Sequence, residues 1–439
     1  MKTRRWGSLD TFTLLILLIE LSQVSYWPHA VNEFGQEDLF LNKVISYVVI
    51  LITTGYILLH SRRLSAFLTK RAFFVVTGIF VTCVMMSFFS DYQFTSIRIV
   101  TKIFILAIVV LIMVDRDRDR FTNILAGYAV VFGLVNLAAV ILVPAHAVET
   151  GWLSRAGDWR GLLPFRIAFG VNSSIFLILL LALLMKGGAR NRALLGLGAI
   201  VLAVCVYGSQ SRIAWGGAIA GCAFVMLGSG LVRIRRRDRK SIAITLALLI
   251  PFGIFLVSGP LAESLLGAVG RDLTFSGRTA LWNHFWSEIM SRPITGFGAG
   301  AFFQDQSYLA RFYEQMGWGG FMTAHNSYVE WGLSAGIPGL ILFSLLMLGY
   351  YGRLVSLAGK DETAAGLAAV GWGPIVSLST VFLSEGGVSG MVLFVVFYTL
   401  CLNPVSQRSP RTRSAAALEP FNPVTLRGAS HTTPREGTF

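Results

Sequence analysis

Two arginines and one histidine stand where a site for an anionic leaving group could be built, in a chain otherwise poor in charge. Arg278 lies in S-G-R-T, just ahead of a helical pattern, so its guanidinium and the first free N–H groups of a helix could face one anion together. The planar guanidinium grips phosphate oxygens in bidentate fashion. Arg212 closes S-Q-S-R at the start of an apolar run, with Ser209 and Ser211 beside it as a small outward-facing polar cluster. An arginine there is either a snorkelling residue at a membrane rim or an anion ligand. His325 precedes Asn326 and Ser327, and Ser327 with Glu330 fits the capping box S-x-x-E. Beside a helix start, positive potential disfavours imidazolium, and a neutral imidazole is what a general base for a hydroxyl requires. A lone histidine is more often a structural donor, so Arg278 nearby is what favours the base. His284, with Glu288 at i+4, reads as a solvated helix face, and His29, His60, His146 and His431 have no comparable context.

The elements that must hold these residues are membrane spans. Of 439 residues, 54% are apolar and only 14% charged, against about a quarter charged in soluble domains. Mean hydropathy is +0.65. Apolar runs long enough for a ~30 Å hydrocarbon core recur along the chain. They predict an all-α polytopic protein of about twelve spans, near 11–27, 43–59, 72–89, 99–114, 121–143, 167–185, 193–208, 213–232, 241–258, 335–352, 364–384 and 386–402. The basic, apolar N-terminus resembles a signal peptide, but Glu20 interrupts it and no A-x-A-like site follows, so an uncleaved first span is expected. The four cysteines fall in or beside apolar runs without a CxxC pair and read as packing residues.

Charge orients these spans. Most of the 37 Lys and Arg fall on one side if both termini are cytoplasmic, through the loops HSRRLSAFLTKR, DRDRDR, KGGARNR and RIRRRDRK. The net charge of +14 therefore reports topology, and nucleic acid is excluded as a partner. Arg160, Arg166, Arg212, Arg278, Arg292 and Arg311 oppose the bias on the outer side, as an anionic lipid-linked substrate would require. The chain divides into spans 1–9 (1–258), an external loop (259–334), spans 10–12 (335–402) and a Ser/Thr/Pro/Arg-rich tail (403–439), expected to be disordered and cytoplasmic.

The external loop is too long to be structureless. Leu281, Trp282, Phe285, Trp286, Ile289 and Met290 form the stripe of an amphipathic helix ended by Pro293, and Tyr308–Met316 suggests a second. Gly296, Gly298 and Gly300 read as a flexible connector, with a phosphate cradle as the weaker alternative. Metal is not expected. The D-x-D run Asp115, Asp117, Asp119 alternates with arginines on the cytoplasmic side and reads as a solvated loop, and the outer loops hold no acidic or His/Cys cluster. Arginines would then neutralise the departing charge.

G-R-T-x-x-W, then R-P-x-x-G-x-G-x-G-x-F, then H-N-S-Y-x-E-x-G-x-x-G-I-P-G resembles the O-antigen ligase-like family, which includes O-antigen ligases, O-antigen polymerases and rhizobial exopolysaccharide polymerases. S-Q-S-R at 209–212 and W-R-G at 159–161 stand in the order of family landmarks, and Phe165, Arg166 and Ile167 replace a polar H-K-N-like stretch common in relatives. The resemblance covers roughly 159–340; the first five spans match in hydropathy alone. It implies a GT-C-like, cofactor-free, inverting glycosyltransferase of the bacterial inner membrane. Such an enzyme takes sugar chains from polyprenyl diphosphate to a sugar hydroxyl on the periplasmic side. Arg212 and Arg278 would then bind the diphosphate and His325 activate the acceptor. Arg160 and Arg166, with Ser211, Asn326 and Glu330, would contact substrate. Membrane lipid and other polysaccharide synthesis or export proteins are the implied partners. W-R-G and S-Q-S-R tilt the reading to a polymerase over a ligase. A flippase for lipid-linked sugars is the rival class, but no half-to-half repeat or long central cytoplasmic loop supports it.

Overall fold

The computed structural model describes residues 7–21, 40–60, 71–149, 156–163, 165–186, 191–258, 278–304, 324 and 326–382. They form α1 (Ser8–Leu21), α2 (Phe40–Leu59), α3 (Arg71–Ser87), α4 (Gln93–Arg116), α5 (Arg118–Leu142), a single turn α6 (Pro144–Ala147), α7 (Arg166–Lys186), α8 (Arg192–Gly208), α9 (Arg212–Leu231), α10 (Arg236–Ser258), α11 (Arg278–Ser291), a 3-10 turn (Phe302–Gln304), α12 (Ser327–Ala358) and α13 (Glu362–Phe382). Among the described residues, extended pairing is limited to one isolated bridge, Val148 with Trp159. Helices α4, α5, α7, α9 and α12 are long and apolar enough to cross a membrane, and α1, α2, α3, α8 and α13 hold shorter apolar stretches. The chain is a multi-pass α-helical membrane protein. The predicted spans from the first to the eleventh, other than the ninth, each overlap one of these helices, and the ninth, 241–258, falls in α10. The twelfth, at 386–402, the amphipathic stretch at Tyr308–Met316 and the tail lie outside the described residues.

One apolar core runs through the bundle. Leu106 to Val114 of α4 is buried without a break, so this stretch of the helix is surrounded on all sides. Helix α9 meets α13 through small residues. A Cβ on Gly373 would stand 2.7 Å from the Gly221 carbonyl, and one on Gly228 would stand 3.0 Å from the Ala369 Cα. Without side chains between them, two helices in a membrane gain dispersion contact along their backbones.

The D-R-D-R-D-R run is exposed at Asp115, Asp117, Asp119 and Arg120, as its alternating charge predicts, but it is a helix junction and not a loop. Asp117 alone separates α4 from α5, and its carboxylate caps α5 by accepting from the Arg120 N–H at 3.0 Å. Arg116, with a side chain only 8% exposed, pairs instead with Asp10 of α1. Asp10 also accepts from the Tyr56 hydroxyl at 2.9 Å and from the Gly7 N–H at 2.6 Å. Arg116 Nη1 lies 2.8 Å from His60 Nε2, and the His60 ring stacks on Tyr56 with centroids 4.3 Å apart. His60 thus has a context that the sequence reading denied it. The four residues tie the ends of α1, α2 and α4 together with the buried Arg116 guanidinium paired to a carboxylate, a condition under which charge tolerates burial.

Candidate functional site

The W-R-G and S-Q-S-R motifs form one assembly over the ends of α5, α7 and α8. The segment after α6 folds back through hydrogen bonds from Glu149 N–H to the Asp158 carbonyl (2.8 Å) and from the Arg160 and Gly161 N–H groups to the Ala147 carbonyl (2.9 and 3.0 Å). Asn136, buried in α5, donates to the Phe132 carbonyl and accepts from the Leu162 N–H, both at 2.8 Å. Gly161 has φ +58°, and a Cβ there would lie 2.2 Å from Asn136 Oδ1. The Trp159 N–H donates to the Gly208 carbonyl at 2.9 Å, and its indole lies over Gly208 so closely that a Cβ there would stand 2.2 Å from the ring. Gly208→Ala is therefore expected to destabilise the protein by about 1–3 kcal/mol through overpacking. Thermal unfolding in detergent, with amide exchange at 158–161, checks this; an unmoved midpoint and unchanged protection contradict it.

Ser209 and Ser211 correct the expectation of an outward polar cluster. Ser209 is fully buried and Ser211 is 3% exposed. Ser209 Oγ donates to the Val206 carbonyl at 2.7 Å, and Ser211 Oγ accepts the Ala214 N–H at 3.4 Å as the N-cap of α9. An N-cap hydroxyl turns inward to the helix start, because that is where unsatisfied N–H groups are. Between the serines Gln210 holds φ +49°, in the left-handed region, the one non-glycine residue to do so among those described. This turn aims Arg212 outward as the first residue of α9, exposed and without a partner among the described residues. A cation at a helix N-terminus opposes the macrodipole, so helix stability does not explain its place.

Arg166 is held rather than free. Its Nη1 lies 2.8 Å from Asp158 Oδ2 and donates to the Gln210 carbonyl at 3.2 Å, while its N–H donates to Glu149 Oε1 at 3.1 Å. One side chain thus joins the W-R-G segment to the S-Q-S-R turn. Asp158, Glu149 and Asn136 escaped the sequence reading because isolated polar residues carry no spacing signal. Arg160, half-buried beside them, donates from Nε to the His146 carbonyl at 3.0 Å.

A second assembly surrounds α11. Arg278 is its first residue, and its buried face is Leu281, Phe285 and Ile289, at the i, i+4, i+8 spacing the sequence predicts. Trp286 and Met290, on the flank of that stripe, are about half-exposed. The face packs on Ala324, Phe302 and Leu333. Trp282 Nε1 donates to the Ala324 carbonyl at 2.9 Å, so the residue one turn after Arg278 meets the residue just before His325. His325 itself lies outside the described residues. Asn326, not Ser327, is the N-cap of α12, accepting the Tyr328 N–H at 2.9 Å. Glu330 reaches past it to accept the Ala324 N–H at 3.2 Å. S-x-x-E is thus displaced by one residue, since Asn caps as well as Ser. His284 faces Glu288 at 3.6 Å, as the i+4 spacing predicts.

The glycine run is no flexible connector. Gly296, Gly298 and Gly300 have φ of +62°, +96° and +66°. Within α12, Ala335 and Gly336 leave helical geometry just ahead of Pro338, and main-chain bonds are exchanged there. Pro338 lacks an N–H, which frees the Ser334 carbonyl to accept from Gly298 N–H at 3.0 Å. Ile337 N–H donates to the Pro293 carbonyl and Phe297 N–H to the Leu333 carbonyl, each at 2.7 Å. R-P-x-x-G-x-G and G-I-P-G are two halves of one joint. Arg292 braces it, 2.9 Å from Asp91 Oδ2 and 4.6 Å from the Phe297 ring centroid. Among the described residues no three His, Cys, Asp or Glu side chains converge as metal ligands would.

The second assembly and the S-Q-S-R turn of the first sit in a segment with recognisable relatives. Residues 197–344 match the family model described as O-antigen ligase. This segment is O-antigen ligase-like. It contains Arg212, Arg278 and His325 but begins after Arg160 and Arg166. The chain is also similar to the exopolysaccharide production protein ExoQ of Rhizobium meliloti (strain 1021), 30% identical over 119 residues. That match covers 26% of this chain and 27% of ExoQ, so the chain spans about a quarter of this relative.

Proposed function

We propose that this chain is a membrane glycosyltransferase moving an oligosaccharide from a polyprenyl diphosphate carrier to a sugar hydroxyl outside the bacterial inner membrane. The observation that carries the reading is the Trp282–Ala324 hydrogen bond, which brings the helix opened by Arg278 against the residue preceding His325. The O-antigen ligase-like match over the same residues supports it. In this reading the chain spans the membrane twelve times with both termini cytoplasmic, and 259–334 is periplasmic.

The acceptor hydroxyl attacks the anomeric carbon with inversion. Its proton passes to the His325 imidazole, and the bond to the carrier oxygen breaks, its electron pair leaving with the diphosphate. Arg278 and Arg212, each with helix N–H groups beside it, take up that charge. Guanidinium groups are assigned this role because the outer-side sequence offers arginines where a metal would need carboxylates. Arg160 contacts donor or sugar, Arg166 with Asp158 holds the turn that aims Arg212, and Asn326 and Glu330 border the base. Ser211 shapes the turn from within.

The product is most simply a growing repeat-unit polymer, a reading supported by the similarity to an exopolysaccharide production protein. The family description favours the alternative of a ligase with a lipid A-core acceptor. Liposomes carrying the protein and a polyprenyl-diphosphate oligosaccharide test both against transport. Covalent chain growth supports the polymerase, and transfer to added lipid A-core alone supports the ligase. Relocation without a new bond means a flippase and ends the proposal. Arg278→Ala is expected to lower product by about 10²–10³-fold, the effect of removing one donor to a developing negative charge.

A further inference from the structure

Helix α4, outside the O-antigen ligase-like segment, carries a lysine in an unusual place. Lys102 is 8% exposed within a helix long and apolar enough to span the membrane. Ionisable residues so placed are costly and mark substrate or ion paths. Lys102 lies roughly 13 Å along the axis from Gln93, at 1.5 Å per residue. Arg98 stands one turn nearer the Gln93 end, at i−4, and is half-buried.

The outer turns of α4 are also where the glycine joint docks. A Cβ on Gly298 would stand 2.6 Å from the Ser90 and Ser96 hydroxyl oxygens, and one on Gly300 would stand 2.8 Å from Ile99 Cδ1. Ser90 is 4% exposed and Ser96 is fully buried. Irregular backbone therefore descends beside α4 to the level of Ile99, with Lys102 three residues deeper on the same face. At membrane depth such backbone persists only where protein buries it or where it lines a watery cavity. The joint connects α11, opened by Arg278, to α12, capped beside His325, and its glycines rest on the turns of α4 that lead on to Arg98 and Lys102.

We propose that Lys102, with Arg98 above it, is a further cationic contact for the diphosphate of the lipid-linked donor. The inference rests on the transferase reading and adds a ligand from the first half of the chain. Lysine suits the role as a compact charge with three N–H donors on a flexible stem.

The test uses the full chain in nanodiscs with undecaprenyl diphosphate, free of sugar, as the probe and undecaprenyl monophosphate as the comparison. Lys102→Gln is expected to weaken diphosphate binding about tenfold, the loss of one charge-assisted contact, with a smaller effect on the monophosphate. Lys102→Arg should retain most of the affinity. Binding by K102Q within twofold of the wild type overturns the contact, and a wild type that still transfers sugar then leaves the transferase reading standing. Weakened binding in K102Q with no transfer by the wild type to any acceptor keeps the contact and removes the enzyme. Where K102Q does not survive purification, Arg98→Gln decides: weakened diphosphate binding supports the contact, and unchanged binding overturns it.

Discussion

Alanine at His325 is expected to lower transfer by about 10²–10⁴-fold, the contribution of a positioned acid–base group, while the protein inserts and unfolds as the wild type does. The expectation rests on how tightly its neighbours are fixed. Ala324 is fully buried, with its carbonyl held by Trp282 and its N–H by Glu330. Asn326 on the other side is fixed as the N-cap of α12. Both neighbours of His325 are thus anchored, and a base must meet its hydroxyl within hydrogen-bond reach. The assay is product formation in liposomes from a polyprenyl-diphosphate oligosaccharide. Undiminished product from H325A removes the base and leaves the arginines as charge carriers without a proton acceptor.

Gly336→Ala is expected to be the most damaging small substitution in the described residues. At φ +64°, ψ −159°, Gly336 occupies a region closed to side chains, and a Cβ there would lie 2.4 Å from the Pro293 carbonyl oxygen. That oxygen is the acceptor for Ile337 N–H, so it cannot retreat without breaking a bond of the joint. Backbone strain of about 1–3 kcal/mol and overpacking of about 1–3 kcal/mol act together. The variant should show a sharply lowered unfolding midpoint in detergent and increased amide exchange at Phe297, Gly298 and Ile337. A wild-type midpoint with wild-type exchange at those amides contradicts the geometry of the joint.

Most helices were legible because each is written in consecutive residues. Span-length apolar runs and the 281–285–289 stripe need no knowledge of the rest of the chain, and α11 lies where the stripe and Pro293 put it. Features made by residues far apart were not legible. Nothing local to D-R-D-R-D-R says that Arg116 will find Asp10 a hundred residues earlier, so its charges read as self-neutralising. The glycines at 296–300 look like slack in isolation, and their partner carbonyls and N–H groups lie near 333–337. The α12 cap was misread for a subtler reason. Asn326 and Ser327 are both competent caps, and the choice fell to the residue whose side chain reaches Tyr328 N–H while Glu330 is drawn back to Ala324. Arg212 and Arg278 were legible as chemical types at helix starts. Arg166 was legible as a charge but not as one held by Asp158.

The joint between the two motifs is made of main-chain groups: the carbonyls of Pro293, Leu333 and Ser334 and the N–H groups of Phe297, Gly298 and Ile337. Its specificity thus resides in residue count and in the glycines that hold positive φ, more than in any other side chain. Lengthening 293–297 by a single residue would throw the Pro293 pairing out of step with the other two, whereas the exposed Ile294 is free to vary in chemistry. Descendants of this sequence should therefore drift in composition there while forbidding insertions and deletions, so the measured interval from proline to glycine is the trait that is inherited.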